Sequence, residues 1–218
     1  MTIYAWLSDN YIEIFGAVAG IVYVFLEIRQ TIWLWPVGII TSAVYIWVFF
    51  SSKFYADMSL QVYYLGISFL GWYWWSRRKN GRMGEREKGR QNDSEADGLR
   101  DKETERLVVT RLKLKTGVFL AIVFVILYSI MWVVLSNFTD SPVPAWDAFI
   151  TSLSIVATWM LARKIYEHWF LWIVVNFVSA VIFMIKGLYP TVILYIVYGV
   201  MSFAGLVEWE KTIRLKER

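Results

Sequence analysis

The chain has 218 residues, 58% of them hydrophobic and 18% aromatic, with a formal net charge of +4, one histidine and no cysteine. Soluble domains average about 45–50% apolar residues by a comparable count, so a soluble globular class is excluded. Without cysteine there is neither a disulfide framework nor a thiolate metal site, and one histidine cannot build a zinc centre, so no metal and no cofactor is expected.

Seven apolar stretches are predicted as membrane spans, at 12–28, 31–51, 57–76, 116–136, 145–163, 168–186 and 189–209. Each is long enough to cross a hydrocarbon core of roughly 30 Å. The leading MTIYAWLSDNYIE has no basic n-region and no cleavage pattern, so no removable signal peptide is expected. Spans one and two are divided only by EIRQ (27–30), and span two opens on Trp35-Pro36, where proline is tolerated. Span three carries LQVYYLGISFLGWYWW and gives way to RRKNGRMGEREKGRQNDSEADGLRDKETERLVVTRLKLK (77–115). The low apolar content and mixed charge of that segment predict a solvated linker, helical toward its C-terminal end. Span four follows, and then spans five to seven and a charged tail, 210–218.

Orientation follows from lysine and arginine near the span ends. Arg77, Arg78, Lys79 and Arg82 end span three, and Arg111, Lys113 and Lys115 precede span four, which places the linker in the cytoplasm. The same side then holds Arg29, Arg163, Lys164 and the tail. The other side holds the N-terminus with Asp9 and Glu13, together with Asp57, Asp140 and Asp147, and only Lys53 and Lys186 as bases. The N-terminus is expected outside and the C-terminus inside.

A constant offset of 134 residues aligns 13–75 with 147–209 without a gap, and fifteen positions coincide. Among them are Phe15/Phe149, Arg29/Arg163, Trp35/Trp169, Phe49/Phe183, Tyr55/Tyr189, Leu60/Leu194, Tyr64/Tyr198, Ser68/Ser202, Gly71/Gly205 and Trp75/Trp209. Three spans are an odd number, so a second copy would be inverted unless a further span intervened. Span four restores the orientation. The expected fold is all-α and membrane-integral, with seven transmembrane helices in a SWEET-like 3+1+3 plan of parallel repeats and a binding site between the repeats. The implied organisation is 1–76 first three-helix repeat, 77–115 cytoplasmic linker, 116–136 linking helix, 145–209 second repeat and 210–218 cytoplasmic tail.

In span six, Trp169, Trp172, Asn176 and Ser179 recur at i, i+3, i+7 and i+10, one stripe of a helix. An amide in hydrocarbon costs several kcal/mol if unpaired, so Asn176 must face protein or a wet cavity. Two indoles and an amide suit a flat, polar, π-rich ligand; the same residue types also serve as interface anchors and helix glue. Span three offers Gln61, Tyr64 and Ser68 at i, i+3 and i+7, and the repeat sets Tyr195 against Gln61. Ser68/Gly71 and Ser202/Gly205 read as small-residue helix contacts. Glu13, Glu27, Asp57 and Asp147 all fall near span ends. With no acid or base mid-span and no Walker A sequence, the expectation is passive movement of a ligand that needs no buried counter-charge. No acid–base dyad or nucleophile–base pair points to an enzyme.

WPVGIITSAVY, FYADMSLQVYY with GWYWW, and RKIYEHWFLWIVVNFVSAVIFMIKGLY resemble the PnuC family of bacterial vitamin transporters over all seven spans, with WxxWxxxN as the most specific part. The resemblance implies import of nicotinamide riboside by facilitated diffusion through the inner membrane. Phosphorylation by a cytoplasmic kinase then traps the product, and the family assembles as homotrimers. It also implies that Trp169 and Trp172 bind the ligand, with Asn176 and Gln61 as polar contacts and Tyr195, Trp35 and Tyr64 as further cavity residues. A related branch, PnuT, moves thiamine, and TDSPVPAWDAFITSLSIVATWMLARKIYEHW is similar to it as well. Both ligands are cationic heterocycles suited to indole faces. The partners implied are a small cationic vitamin and the lipid bilayer, with no nucleic acid. A sugar carrier is a more distant transport reading. A membrane scaffold acting through linker 77–115 is the alternative outside transport.

Overall fold

The structure is a computed structural model that describes residues 11–51, 55–89, 109–139, 141–185 and 187–217. Asp9, Lys53, Asp140, Lys186 and the stretch 90–108 lie outside the described residues, as do the side chains of Glu13, Phe49, Tyr55, Asp57, Arg77, Arg78, Lys79 and Arg82.

Among the described residues, the chain forms seven α-helices: α1 (Tyr11–Ile28), α2 (Leu34–Ser51), α3 (Tyr55–Gly89), α4 (Leu114–Phe138), α5 (Pro144–Ala162), α6 (His168–Ile185) and α7 (Tyr189–Glu217). Hydrocarbon offers no partner to backbone N–H and C=O groups, so an apolar span satisfies them internally as a helix. The prolines agree with this: Pro36, Pro144 and Pro190 all sit in the first turn of their helices, where a missing N–H costs little. By length and apolarity, Leu114–Phe138, Pro144–Ala162, His168–Ile185 and Tyr189–Leu215 can each cross a membrane, and Ile14–Ile28 and Leu34–Val48 are shorter apolar helices.

The polar linker departs from expectation. Its N-terminal part is the helical one, because α3 continues past Trp75 to Gly89. Arginine, lysine and glutamate there are good helix formers, and no proline interrupts them. Its C-terminal end is extended instead. Thr110 N–H donates to the Lys164 carbonyl at 3.0 Å, and Tyr166 N–H donates to the Thr110 carbonyl at 2.9 Å. Leu112 N–H donates to Glu167 Oε2 at 2.8 Å. A one-residue bridge thus ties the approach to α4 onto the α5–α6 turn. At the other end of the chain, α7 takes in most of the charged tail, where Arg214 pairs with Glu210 at 2.6 Å.

The chain divides into two compact units, Met1–Leu107 and Val108–Arg218. In the first, α2 packs on α3 and α1 lies against α2. In the second, α4 packs on α5, α5 on α6 and α6 on α7. Leu120, Val156, Met160 and Ile165 form an apolar core there. Leu120 is the one fully buried residue of α4, and Val118, Phe119, Ile122, Val125 and Ile126 are exposed, as suits a helix that faces lipid.

The repeat is a repeat of geometry. Gln30 and Lys164 hold φ values of 55° and 56° at equivalent helix ends. At each, the next residue closes the turn: Thr31 N–H donates to the Leu26 carbonyl at 3.1 Å and Ile165 N–H to the Met160 carbonyl at 3.0 Å. Trp35 meets Trp75 edge to face at 5.4 Å and 89°, and Trp169 meets Trp209 at 5.7 Å and 85°. Ser68 Oγ donates to the Tyr64 carbonyl at 2.7 Å, and Ser202 Oγ to the Tyr198 carbonyl at 2.8 Å. The order is three helices, one, and three again.

Candidate functional site

The α6 stripe divides into one fully packed tryptophan and a remainder with less enclosed or oriented polar groups. Trp169 is 1% exposed, with His168 at 4.7 Å and Trp209 at 5.7 Å. Its six-membered ring lies flush against Gly205, where an added Cβ would come within 2.3 Å of Cη2. Trp35 does the same to Gly71, again at 2.3 Å. Both indoles are wedges that fasten their own three-helix repeat. Their Nε1 atoms are buried without a hydrogen-bond partner among the described residues, so only that edge can offer anything to a ligand.

Trp172 has no such twin. Its repeat equivalent is Gly38. Trp172 is half-buried, and its Nε1 has no partner among the described residues. Asn176 is buried, and its amide Nδ2 donates to Ser202 Oγ on α7 at 3.1 Å. Ser202 passes its own proton to the Tyr198 carbonyl, so its oxygen is free to accept. This chain fixes the Asn176 amide plane. Ser179, one turn further along α6, is 1% exposed and stands within hydrogen-bonding reach of the Tyr195 phenol on α7. Along one face of α6, therefore, an indole donor without an acceptor among the described residues stands beside an oriented amide. Donors of this kind hold a ligand that carries oxygen acceptors.

The remaining predicted residues are placed as follows. Tyr195, on α7, stacks on Phe183 at 5.2 Å and 16° and meets Tyr198 edge to face at 6.0 Å. Gln61 and Tyr64, on α3, are half-buried, and the Tyr64 ring lies 5.6 Å from that of Tyr63. Trp169, Trp172, Asn176 and Tyr195 thus belong to the second unit, and Trp35, Gln61 and Tyr64 to the first.

Three residues escaped the sequence reading. Ser202 is more than a small contact, because it orients Asn176. His168 is fully buried between Trp169 and Trp209, with Nδ1 2.7 Å from the Ile165 carbonyl. Glu27 lies near a span end as read, and it is only 2% exposed. The signal for all three lay in the repeat: Ser202 recurs as Ser68, whereas His168 and Glu27 fall on Leu34 and Leu161.

Comparison with known proteins places this geometry. Residues 10–211 match the family model described as nicotinamide mononucleotide transporter. The nicotinamide riboside transporter PnuC of Escherichia coli is 28% identical, covering 94% of this chain and 87% of that protein. The riboflavin/roseoflavin transporter RibM of Streptomyces davaonensis is 25% identical, covering 93% and 87%. A crystal structure of the vitamin B3 transporter PnuC shares the fold with a TM-score of 0.70 at 21% identity, over 97% of this chain and 86% of the other. The chain is a multi-pass membrane protein and belongs to the nicotinamide mononucleotide transporter family.

Proposed function

We propose that this protein imports nicotinamide riboside across the bacterial cytoplasmic membrane by facilitated diffusion, and that intracellular phosphorylation traps the product. The observation that carries the reading is the α6 face. The Trp172 indole N–H has no partner among the described residues, and Asn176 is locked in orientation by Ser202. Nicotinamide riboside presents a carboxamide and ribose hydroxyls, the acceptors such donors need, on a flat cationic ring suited to an indole face. Relatives named as nicotinamide riboside transporters support the substrate, and the absence of a Walker A sequence supports a passive step. RibM, a relative named for riboflavin, shows that sequences this similar carry other vitamins' names, so riboflavin and thiamine both belong beside the riboside in any test.

Arg111, Lys113, Arg163, Lys211 and Arg214 support a cytoplasmic linker and C-terminus, with the N-terminus outside. We place the working form as a homotrimer, with the trapping kinase acting downstream without necessary contact. Uptake of labelled nicotinamide riboside into proteoliposomes tests the transport step. The internal concentration should rise to the external value and stop there, and enclosed riboside kinase with ATP should carry label beyond it. Accumulation above the external concentration without kinase contradicts the passive mechanism.

A further inference from the structure

The outward side of α4 is shaped as well as apolar. Val118, Ala121, Ile122, Val125 and Ile126 line an open groove of about 370 Å³, and every one of them is aliphatic. All five are exposed, and Val118, Ile122, Val125 and Ile126 by more than half. The Ala121 methyl group lies between branched side chains one turn to either side, and this difference in size makes the trough.

One turn nearer the linker the chemistry changes. Lys115 stands three residues before Val118, seven before Ile122 and ten before Val125, so it tops the same stripe of the helix. Helical side chains lean toward the N-terminus, which carries the Lys115 ammonium away from the apolar walls and toward the membrane surface on the linker side. Lys113, the N-cap residue of α4, is exposed like Lys115.

These two bases work against the helix's own field. The first turn of a helix carries partial positive charge and favours acids or hydroxyl caps. α5 follows that rule with Asp147 in its first turn. α4 has no acid in its first turn, and Lys113 makes no side-chain cap. Glu167 reaches the segment just before α4, where its Oε2 accepts the Leu112 N–H at 2.8 Å. Among the described residues no carboxylate pairs with Lys113 or Lys115. An uncompensated positive end thus sits directly above an apolar trough.

We infer that this groove binds one anionic phospholipid of the leaflet that faces the linker, with an acyl chain in the trough and the phosphate against Lys113 and Lys115. The lysines select the headgroup by its charge, and the trough takes the chain by its shape. A second copy of this chain is a poorer occupant. Packed symmetrically on this face in the same membrane orientation, it would set its own Lys113 and Lys115 beside these, like charge against like. The lipid also adds contact where the protein supplies little, because Leu120 is the residue that α4 buries.

The test is native mass spectrometry of the purified full-length protein in detergent, titrated with phosphatidylglycerol and with phosphatidylcholine of identical chains. The wild type should hold phosphatidylglycerol at least tenfold more tightly. Lys113→Gln combined with Lys115→Gln should bring the two lipids within twofold of each other. Lys211→Gln is the charge-matched control, since Lys211 pairs with Glu208 at 3.5 Å on α7, and it should keep the wild-type preference. Ala121→Trp fills the trough from an exposed position that the fold does not bury, and it should weaken both lipids at least fivefold. Equal affinities in the wild type, or a preference that survives loss of both lysines, overturn the inference. An equal loss in Lys211→Gln overturns it too, by assigning the preference to the general field of the protein. Lipid adducts unchanged in Ala121→Trp also overturn it, and a simultaneous loss of subunits would give the groove to a second copy.

Discussion

Gly205 lies against the face of Trp169 so closely that a Cβ on it would sit 2.3 Å from Cη2. Gly71 and Trp35 repeat the contact at the same distance in the first unit. The two wedges belong to the fold, and both repeats carry them.

Glycine at these two sites is a steric requirement. Gly205→Ala and Gly71→Ala should each destabilise the protein by about 1–3 kcal/mol, the usual range for overpacking. Gly66, with nothing within 4 Å of its added Cβ, is the control, and Gly66→Ala should be neutral or slightly stabilising. Thermal unfolding in detergent measures all three.

The tryptophans should separate by effect. Trp35→Ala empties a fully buried wedge and should cost about 3–5 kcal/mol of stability. Trp172→Ala, at a half-buried site whose twin is glycine, should lower riboside affinity at least tenfold while the protein still inserts and elutes as wild type. Paired melting curves and titrations distinguish the two.

The amide relay makes a graded prediction. Asn176→Ala removes the oriented group, and riboside affinity should fall about tenfold, the upper range for one hydrogen bond. Ser202→Ala leaves the amide but releases its orientation, so a smaller loss, about threefold, is expected. Titration of both variants checks the order. A larger effect from Ser202→Ala than from Asn176→Ala contradicts the relay.

The linker and its anchor should behave differently. Deleting residues 90–105 leaves Thr110 and Leu112 in place and should leave riboside flux unchanged, whereas a scaffold acting through the linker would lose its function. Thr110→Pro removes the N–H that reaches the Lys164 carbonyl and should lower both thermal stability and flux. Proteoliposome uptake by the two variants measures this.

Much of the architecture was legible because hydrocarbon enforces a simple rule: apolar runs become helices. The repeat was legible because Trp35/Trp169, Ser68/Ser202 and Gly71/Gly205 are demanding residues that match only when their surroundings match. What sequence left hidden is direction. Periodicity set Trp169 and Trp172 on one stripe, but it could not say that one is sealed against Gly205 and the other retains a free edge. Nor could it say that Glu27, one turn from a span end, points into protein. The linker was misread because a charged segment carries no apolar period: its helical start follows local propensity, and its bridge at Thr110 depends on contacts with the α5–α6 turn.

The most direct measurement is a calorimetric titration of the purified protein with nicotinamide riboside, with thiamine in parallel. The account predicts saturable riboside binding, with thiamine at least tenfold weaker and riboside affinity reduced in Trp172→Ala. Folded protein that ignores the riboside, or prefers thiamine, contradicts it.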